Sequence, residues 1–369
     1  MKKSLFFTLI FAFVISNFIL YADSLDETLE SLSGEAAEGY VNPIVSAFGS
    51  NLNGGWFHKV PKGKLFGINV EFGLVFMGSM FPDDDDYFSA SGDFRLTGEQ
   101  VEALVNNADF STVDPLLLNY AQQALIDELT GEDFGVNVAG PTIVGPSDES
   151  IIVSVEQKDI VVEFDVPGLG TQSETITIQQ QDFDLGVGGL LDEAPLLPLA
   201  APQLSLGTIY GTRAVFRYMP TYPIPDVGDF DYFGFGIQHN PKAWLKIPLP
   251  IDICASYFTQ SMNLGDYVTA NATAFGLNAS KTLGFKFLSI TPYAGYMFES
   301  SNMVFKYSYE PGVVQGQQLD TVNIKFDIDG KNKSRLTLGT TLRLGVFNIN
   351  ADYNIGKYNS FTAGFAIGI

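Results

Sequence analysis

Over residues 334–369 apolar and polar side chains alternate with a period of two, and no other feature of this chain restricts its fold as strongly. Leu336, Leu338, Thr340, Leu342 and Leu344 fall on one face, with Arg335, Thr337, Gly339, Thr341 and Arg343 on the other. After Gly345 the rhythm resumes in Phe347, Ile349, Ala351, Tyr353 and Ile355 against Asn348, Asn350, Asp352 and Asn354. It resumes once more in Phe361, Ala363, Phe365, Ile367 and Ile369. Successive side chains of a strand point to opposite faces, so each run is an antiparallel strand with one apolar and one polar face. Each run is about 10 residues long, the length that crosses a bilayer when a strand tilts by about 45°. A soluble β-sandwich produces the same alternation, so the pattern alone leaves both architectures open.

The start of the chain narrows the choice. Lys2 and Lys3 precede the apolar run Leu5–Leu20, and Leu20, Tyr21 and Ala22 form a cleavage site ahead of Asp23, which predicts a signal peptide over 1–22. The run is shorter than the roughly 20 residues a spanning helix needs. Export without an anchoring helix, joined to amphipathic strands, predicts the outer membrane or the cell exterior. Cys254 is the sole cysteine, so no disulfide can form within the chain, and it reads as a small, unreactive residue.

Charge divides what remains. Of the net charge of −22, residues 83–200 carry 24 acids against Arg95 and Lys158, whereas residues 203–369 carry 11 acids and 13 bases. The first stretch predicts a solvated acidic α+β insert and the second a near-neutral barrel wall. No basic stripe is present to displace phosphate counterions, which disfavours nucleic acid as a partner. Residues 23–49 predict a short N-terminal helical segment, a candidate hatch, with Leu25, Leu29 and Leu32 at helical spacing and a break at 39–43. Residues 50–82 predict the first barrel hairpin, its second strand carrying Phe66, Ile68, Val70, Phe72, Leu74 and Phe76 on one face. Within the insert, Thr97 with Gln100 and Asp114 with Pro115 read as helix starts, and 151–166 and 175–185 as a strand pair. The prolines of 190–202 read as a linker, and eight strands follow over 203–369, the first running over 203–219. The fold class expected is therefore all-β: an antiparallel transmembrane β-barrel of 10–14 strands, even in number because every strand edge must be paired in lipid.

Few residues invite chemistry. His58 and His239 are the only histidines, and neither stands in a metal-ligand or catalytic-triad spacing, so an enzyme is not expected. The run Asp83, Asp84, Asp85 and Asp86 is either a solvated loop or a calcium site, since neighbouring carboxylates repel unless solvated or neutralised. Strand parity turns Arg213, Arg217, Arg335, Arg343, Glu71, Asp252 and Asp352 toward the lumen. Charges there either cross-link the lumen or line a path for a solute.

Two stretches carry a resemblance. Ile349–Asn359 with the strand 361–369, and Gly39–Pro43 through Gly54–His58, resemble a family of uncharacterised outer-membrane β-barrel proteins of Bacteroidota-like bacteria. The helical segment ahead of the strands is also similar, at the level of architecture, to long-chain fatty acid transport barrels, from which the acidic insert departs. The resemblance implies outer-membrane lipid as the surroundings, barrel-insertion machinery reading the last strand, and a small hydrophobic solute as cargo. A passive channel or transporter for such solutes is the leading expectation. The alternatives are a non-transporting barrel that displays the acidic insert for adhesion or assembly, and a secreted β-sandwich.

Overall fold

The computed structural model describes residues 34–62, 66–95, 98–111, 113–130, 133–192, 194–224, 228–245, 249–285, 287–309, 313–314, 317–318 and 322–368. The signal peptide and Leu25, Leu29 and Leu32 lie outside the described residues. The chain divides into two compact units. One holds Asn42–Asp84 and Glu193–Ile369, the other Asp85–Asp192 with the described part of Glu27–Val41.

The first unit is a closed antiparallel barrel of ten strands. In chain order these are β1 (Phe66–Ser79), β2 (Leu197–Ile209), β3 (Thr212–Ile224), β4 (Gly228–His239), β5 (Asp252–Leu264), β6 (Val268–Ser280), β7 (Leu288–Tyr309), β8 (Ser334–Leu344), β9 (Phe347–Ile355) and β10 (Ser360–Gly368). Each strand pairs with the next in the chain, and β10 returns to pair with β1, so the topology is up-and-down throughout. Val322–Asp329 extends the line of β8 along the upper half of β7.

The register fixes the barrel's dimensions. Stepping sideways from Gln203 through Arg217, Gly234, Gln260 and Ala272 reaches Ser301 of β7. Stepping the other way through Gly73, Ala366, Asn348 and Arg343 reaches Ser289 of the same strand, 12 residues away. Ten strands staggered by this amount tilt by about 40° and close at a radius of about 10 Å, given the usual strand spacings. An α-helix with its side chains is about 10–12 Å across, so a bore of this size is filled by one helix.

The alternation seen in the sequence is realised as an outer apolar belt and an inner polar wall. Phe72, Phe233, Phe275, Leu277, Tyr296, Leu338, Ile349 and Phe365 are exposed, while Glu71, Gln203, Arg217, Thr337, Asn350, Asp352 and Thr362 are buried. A soluble protein rarely exposes so continuous an apolar surface.

Inside lie the part of helix α1 (Gly34–Asn53) from Asn42 onward and the irregular segment 54–62 that follows it. The expected break at 39–43 is absent, and α1 runs through Gly39 and Pro43. An internal proline costs about 3 kcal/mol, and burial on both sides of it offsets that cost. Ala36, Ala37, Tyr40 and Val41 are buried before it, and Ile44, Val45, Ala47, Phe48 and Leu52 after it. The expected first hairpin is absent too. Trp56 and Phe57 belong to no strand and are buried in the barrel, because Gly54 and Gly55, the latter at φ +68°, end the helix and turn the chain.

Two further expectations change. The strand read over 203–219 is two strands, β2 and β3, joined at Tyr210 and Gly211, whose φ angles of 52° and 74° make a tight hairpin turn. The usual Asn-Gly or Asp-Gly signal is missing there, so the turn was hidden. The stretch read as a linker up to Pro202 is instead the first half of β2, paired to β1 from Leu197 onward.

In the second unit, Tyr87–Arg95, Asp133–Pro141, Ile152–Val155 and Gln181–Asp184 form a four-stranded sheet, and Lys158–Val166 pairs with Gly170–Ile178. Helices Gly98–Asn107 and Leu118–Leu129 accompany them. The second helix starts later than Asp114 and Pro115 implied, because Asp114 accepts the Leu116 N–H and closes a separate turn. Among the described residues no helix is long and apolar enough to cross a membrane, which leaves crossing by strands untouched.

Candidate functional site

The barrel's polar wall and the segment 42–62 build one site. The C-terminus of a helix leaves its last carbonyls without intrahelical donors and carries partial negative charge. Two buried arginines of the barrel meet that end. Arg217 of β3 donates from Nη2 to Gly54 O at 2.7 Å and from Nη1 to Leu52 O at 3.3 Å, while its Nε donates to Gln203 Oε1 at 2.9 Å. Arg335 of β8 donates to Asn53 O at 2.6 Å. Gln260 of β5 adds a third donor, to Leu52 O.

The rest of the segment is held all around the circumference. Asn51 donates to Leu197 O of β2 at 2.6 Å and accepts from Ser79 of β1 at 2.8 Å. Arg213 of β3 donates to Lys59 O, Gln238 of β4 to Trp56 O, and Thr341 of β8 to His58 O. Val60 N–H donates to Ser280 of β6. Trp56 stacks on Phe258 with ring centroids 5.1 Å apart and lies under the Arg217 guanidinium at 4.1 Å. Gly234 makes room for it, since a Cβ there would stand 2.7 Å from Trp56 Cη2.

Glu71 of β1 gathers two side chains of the same segment, the His58 imidazole at 2.9 Å and the Lys59 ammonium at 2.7 Å, and accepts from Asn348 at 3.1 Å. Asp352 of β9 accepts from Tyr293 and Asn354, each at 2.8 Å. Arg335 Nη1 stands 3.1 Å from Glu299 Oε1, close enough for an ion pair but misaligned for a hydrogen bond. Both Glu299 oxygens, Asn53 Oδ1 and Thr362 Oγ1 are buried without a hydrogen-bond partner, the kind of polar recess that bridging water fills.

The lumen-facing set read from the sequence therefore divides. Arg213, Arg217, Arg335, Glu71 and Asp352 are buried inside and, Asp352 excepted, bond directly to the enclosed segment. Arg343 and Asp252 lie at the rim. Arg343 donates to Gly345 O in the β8–β9 turn, and Asp252, at the first position of β5, meets Lys242 at 3.1 Å with its side chain half exposed. Gln260, Asn51, Lys59 and Glu299 escaped the sequence reading, because uncharged amides and a lone acid on an alternating strand look like ordinary wall.

Asp83–Asp86 form no cage. Among the described residues no group of three or more histidine, cysteine or acidic side chains is arranged to hold a metal. Asp83–Asp85 make one turn of 3-10 helix, Asp85 is buried, and Asp84 pairs with Lys357, which holds its carboxyl below the usual range. His239 shares a hydrogen bond with Thr212 at 2.9 Å on neighbouring strands. In the second unit, Tyr40 donates to Gly188 O at 3.0 Å, and burial raises its phenol well above the ordinary value.

Ten closed strands, an apolar outer belt and a bore occupied by the chain's own helix define a transmembrane β-barrel of the plugged kind. The chain belongs to a family of unknown function (DUF6588), whose model matches residues 1–369. No curated protein matches it. Solved structures similar to it include a loop-deletion mutant of OmpT, an outer-membrane protein of Vibrio cholerae, at 11% identity over 82% of this chain and 100% of that one, with a TM-score of 0.23. Another is OccK7 (OpdD) of Pseudomonas aeruginosa, at 9% identity over 82% and 99%, with a TM-score of 0.12. At these scores the likeness carries no functional argument.

Proposed function

We propose that this protein resides in the outer membrane of a Bacteroidota-like bacterium and passes small apolar solutes through a bore that its own N-terminal segment keeps closed to ions. The observation that supports this is the set of bonds from Arg217, Arg335 and Gln260 to the carbonyls of Leu52, Asn53 and Gly54. Every strand edge in lipid needs a partner, which a closed barrel supplies, and the apolar belt suits hydrocarbon. No catalytic role is proposed, and barrel-insertion machinery reading β10 is the assembly partner. In planar bilayers the intact protein should conduct almost nothing, and replacing Arg217 and Arg335 together by methionine should produce openings. A large, steady conductance from the intact protein would make it an open porin and refute the reading.

A second reading has its own support. Asp85–Asp192 form a compact unit with a buried core of Val136, Val138, Ile151, Val153 and Ile176, and they sit in the single connection between β1 and β2. A barrel that anchors and displays this acidic unit fits that arrangement. Uptake of apolar solutes unaffected by deletion of the barrel, with loss of surface attachment on removal of 85–192, would favour display.

A further inference from the structure

The outward face of β7 outlasts the apolar belt. Leu288, Ile290, Tyr296 and Phe298 are exposed on it, and Phe298 stacks on Phe275 of β6 with ring centroids 5.4 Å apart. Beyond that pair the face turns polar. Ser300 stands opposite Thr273, Asn302 between Asn271 and Asp329, and Val304 between Thr269 and Asp327. The next row holds Lys306, directly opposite Lys325 and bonded through its N–H to Tyr267 O at 2.7 Å. Tyr267, Lys306 and Lys325 are all exposed.

Like charges directly opposite each other on a sheet repel. Among the described residues neither lysine has an ion-pair partner to offset this. Asp327, two residues along from Lys325 on the same face, accepts from Asn302 at 3.0 Å, and Asp266 adjoins Tyr267 in the β5–β6 turn. Two ammonium groups suit one phosphate or carboxylate between them, and a tyrosine beside them offers an apolar ring face with a polar edge. The hydroxyls and amides of Thr269, Asn271, Thr273, Ser300 and Asn302 lead from the belt up to this row.

Height narrows the ligand. Eight residues separate Phe298 from Lys306. At about 3.3 Å per residue and a tilt of about 40°, Lys306 stands about 20 Å above the last apolar row. The headgroup layer of a phospholipid bilayer adds only about 5–8 Å to each side of the hydrocarbon. A lipid therefore reaches the row only through a long head that carries its anion far above the acyl chains. β7 leaves the membrane at the end that bears the longest connections, 80–196 and 310–333, which is the extracellular end in barrels of this kind.

We propose that Tyr267, Lys306 and Lys325 hold the anionic saccharide of an outer-leaflet glycolipid. Its acyl chains lie against the belt at Phe275 and Phe298, its sugars run up the hydroxyl and amide face, and its phosphate or carboxylate is clamped between the two lysines. The inference rests on the outer-membrane reading and adds a lipid partner on the outside of the barrel, whatever passes through the bore.

The test uses the full chain folded into detergent micelles, with native mass spectrometry counting what it retains. The probes are a rough lipopolysaccharide with a phosphorylated core, the lipid A left when mild acid removes that core, and the released core saccharide. From an equimolar mixture the protein should retain the whole glycolipid over lipid A by about tenfold, the scale of two lysines at a charged surface. Lys306→Gln with Lys325→Gln should bring that ratio close to one, and Tyr267→Ala should lower it in part. Lys242→Gln with Lys281→Gln, an equal loss of charge at the opposite end of the barrel, should leave it unchanged. A ratio near one for the unaltered protein, a ratio that survives loss of Lys306 and Lys325, or one that falls equally with Lys242 and Lys281 overturns the site. Free saccharide held as tightly as the whole glycolipid overturns a lipid as its source. A chain that gives no folded band on an unheated gel after refolding with vesicles refutes the outer-membrane reading itself, whereas a folded band without the preference refutes only the glycolipid site.

Discussion

The Nη2 of Arg217, on strand β3, lies 2.7 Å from the carbonyl oxygen of Gly54, the residue that follows helix α1. A side chain of the wall thus terminates a helix that runs inside the barrel, and one guanidinium serves as helix cap, rung of the sheet and lid over Trp56. Removing it should loosen plug and wall together. Arg217→Met is expected to lower stability by about 1.5–3 kcal/mol, the range for hydrogen bonds to a charged group. The check is the denaturant midpoint of the folded band on an unheated gel, together with brief openings in planar bilayers.

The ion pair of Arg335 with Glu299 is buried, so its two halves should respond unequally. Glu299→Ala leaves Arg335 charged and unpaired and should cost about 3–5 kcal/mol. Replacing both residues by apolar ones of similar size should cost much less, because neither charge is then stranded. Equal losses for the single and double variants, measured by urea unfolding in lipid, would mean that Asn53 O alone is what Arg335 serves.

On the outer surface, Leu338 of β8 is half exposed to the surroundings of the barrel. Leu338→Arg should destabilise by about 2–4 kcal/mol if it lies near the bilayer midplane, and Leu338→Phe should be close to neutral. Thr341, on the opposite face, would be a poor control, since it is buried and donates to His58 O at 2.6 Å. Equal tolerance of arginine and phenylalanine at 338, read from folding titrations into vesicles, would show that this face does not meet lipid.

Trp56 sits against Gly234 with no room for a methyl group. Gly234→Val should displace the indole from Phe258, shift the Trp56 emission to longer wavelength and cost about 1–3 kcal/mol from overpacking. An unchanged spectrum in a Trp244→Phe background would show that the ring adjusts without leaving its seat.

Addition of millimolar calcium should leave the unfolding of the full chain where salt of equal ionic strength leaves it. Asp84 already has Lys357 as its partner, and no acidic cage is formed among the described residues. A midpoint raised by calcium alone, followed by circular dichroism, would restore Asp83–Asp86 as a cation site.

The sequence by itself determined the class of this protein. A period of two with one apolar face is a local property, written into each strand and readable without knowing what lies beside it. For the same reason the inward set Glu71, Arg213, Arg217, Arg335 and Asp352 was legible from parity, and the charge boundary between 83–200 and the later strands was legible from composition. What the tertiary structure decided depends on residues far apart in the chain. A stagger of 12 residues over ten strands sets a bore that one helix fills, and no single strand carries that number. Burial along its length carries α1 through Gly39 and Pro43, where local propensity says stop, and packing in the bore keeps Trp56 and Phe57 out of the wall. Tyr210 and Gly211 turn the chain with positive φ because two strands of fixed twist must meet there, although nothing in that dipeptide announces a hairpin. The bonds of Arg217, Gln260 and Arg335 to Leu52, Gly54 and Asn53 join residues more than 160 positions apart, and only the closed barrel brings them within reach.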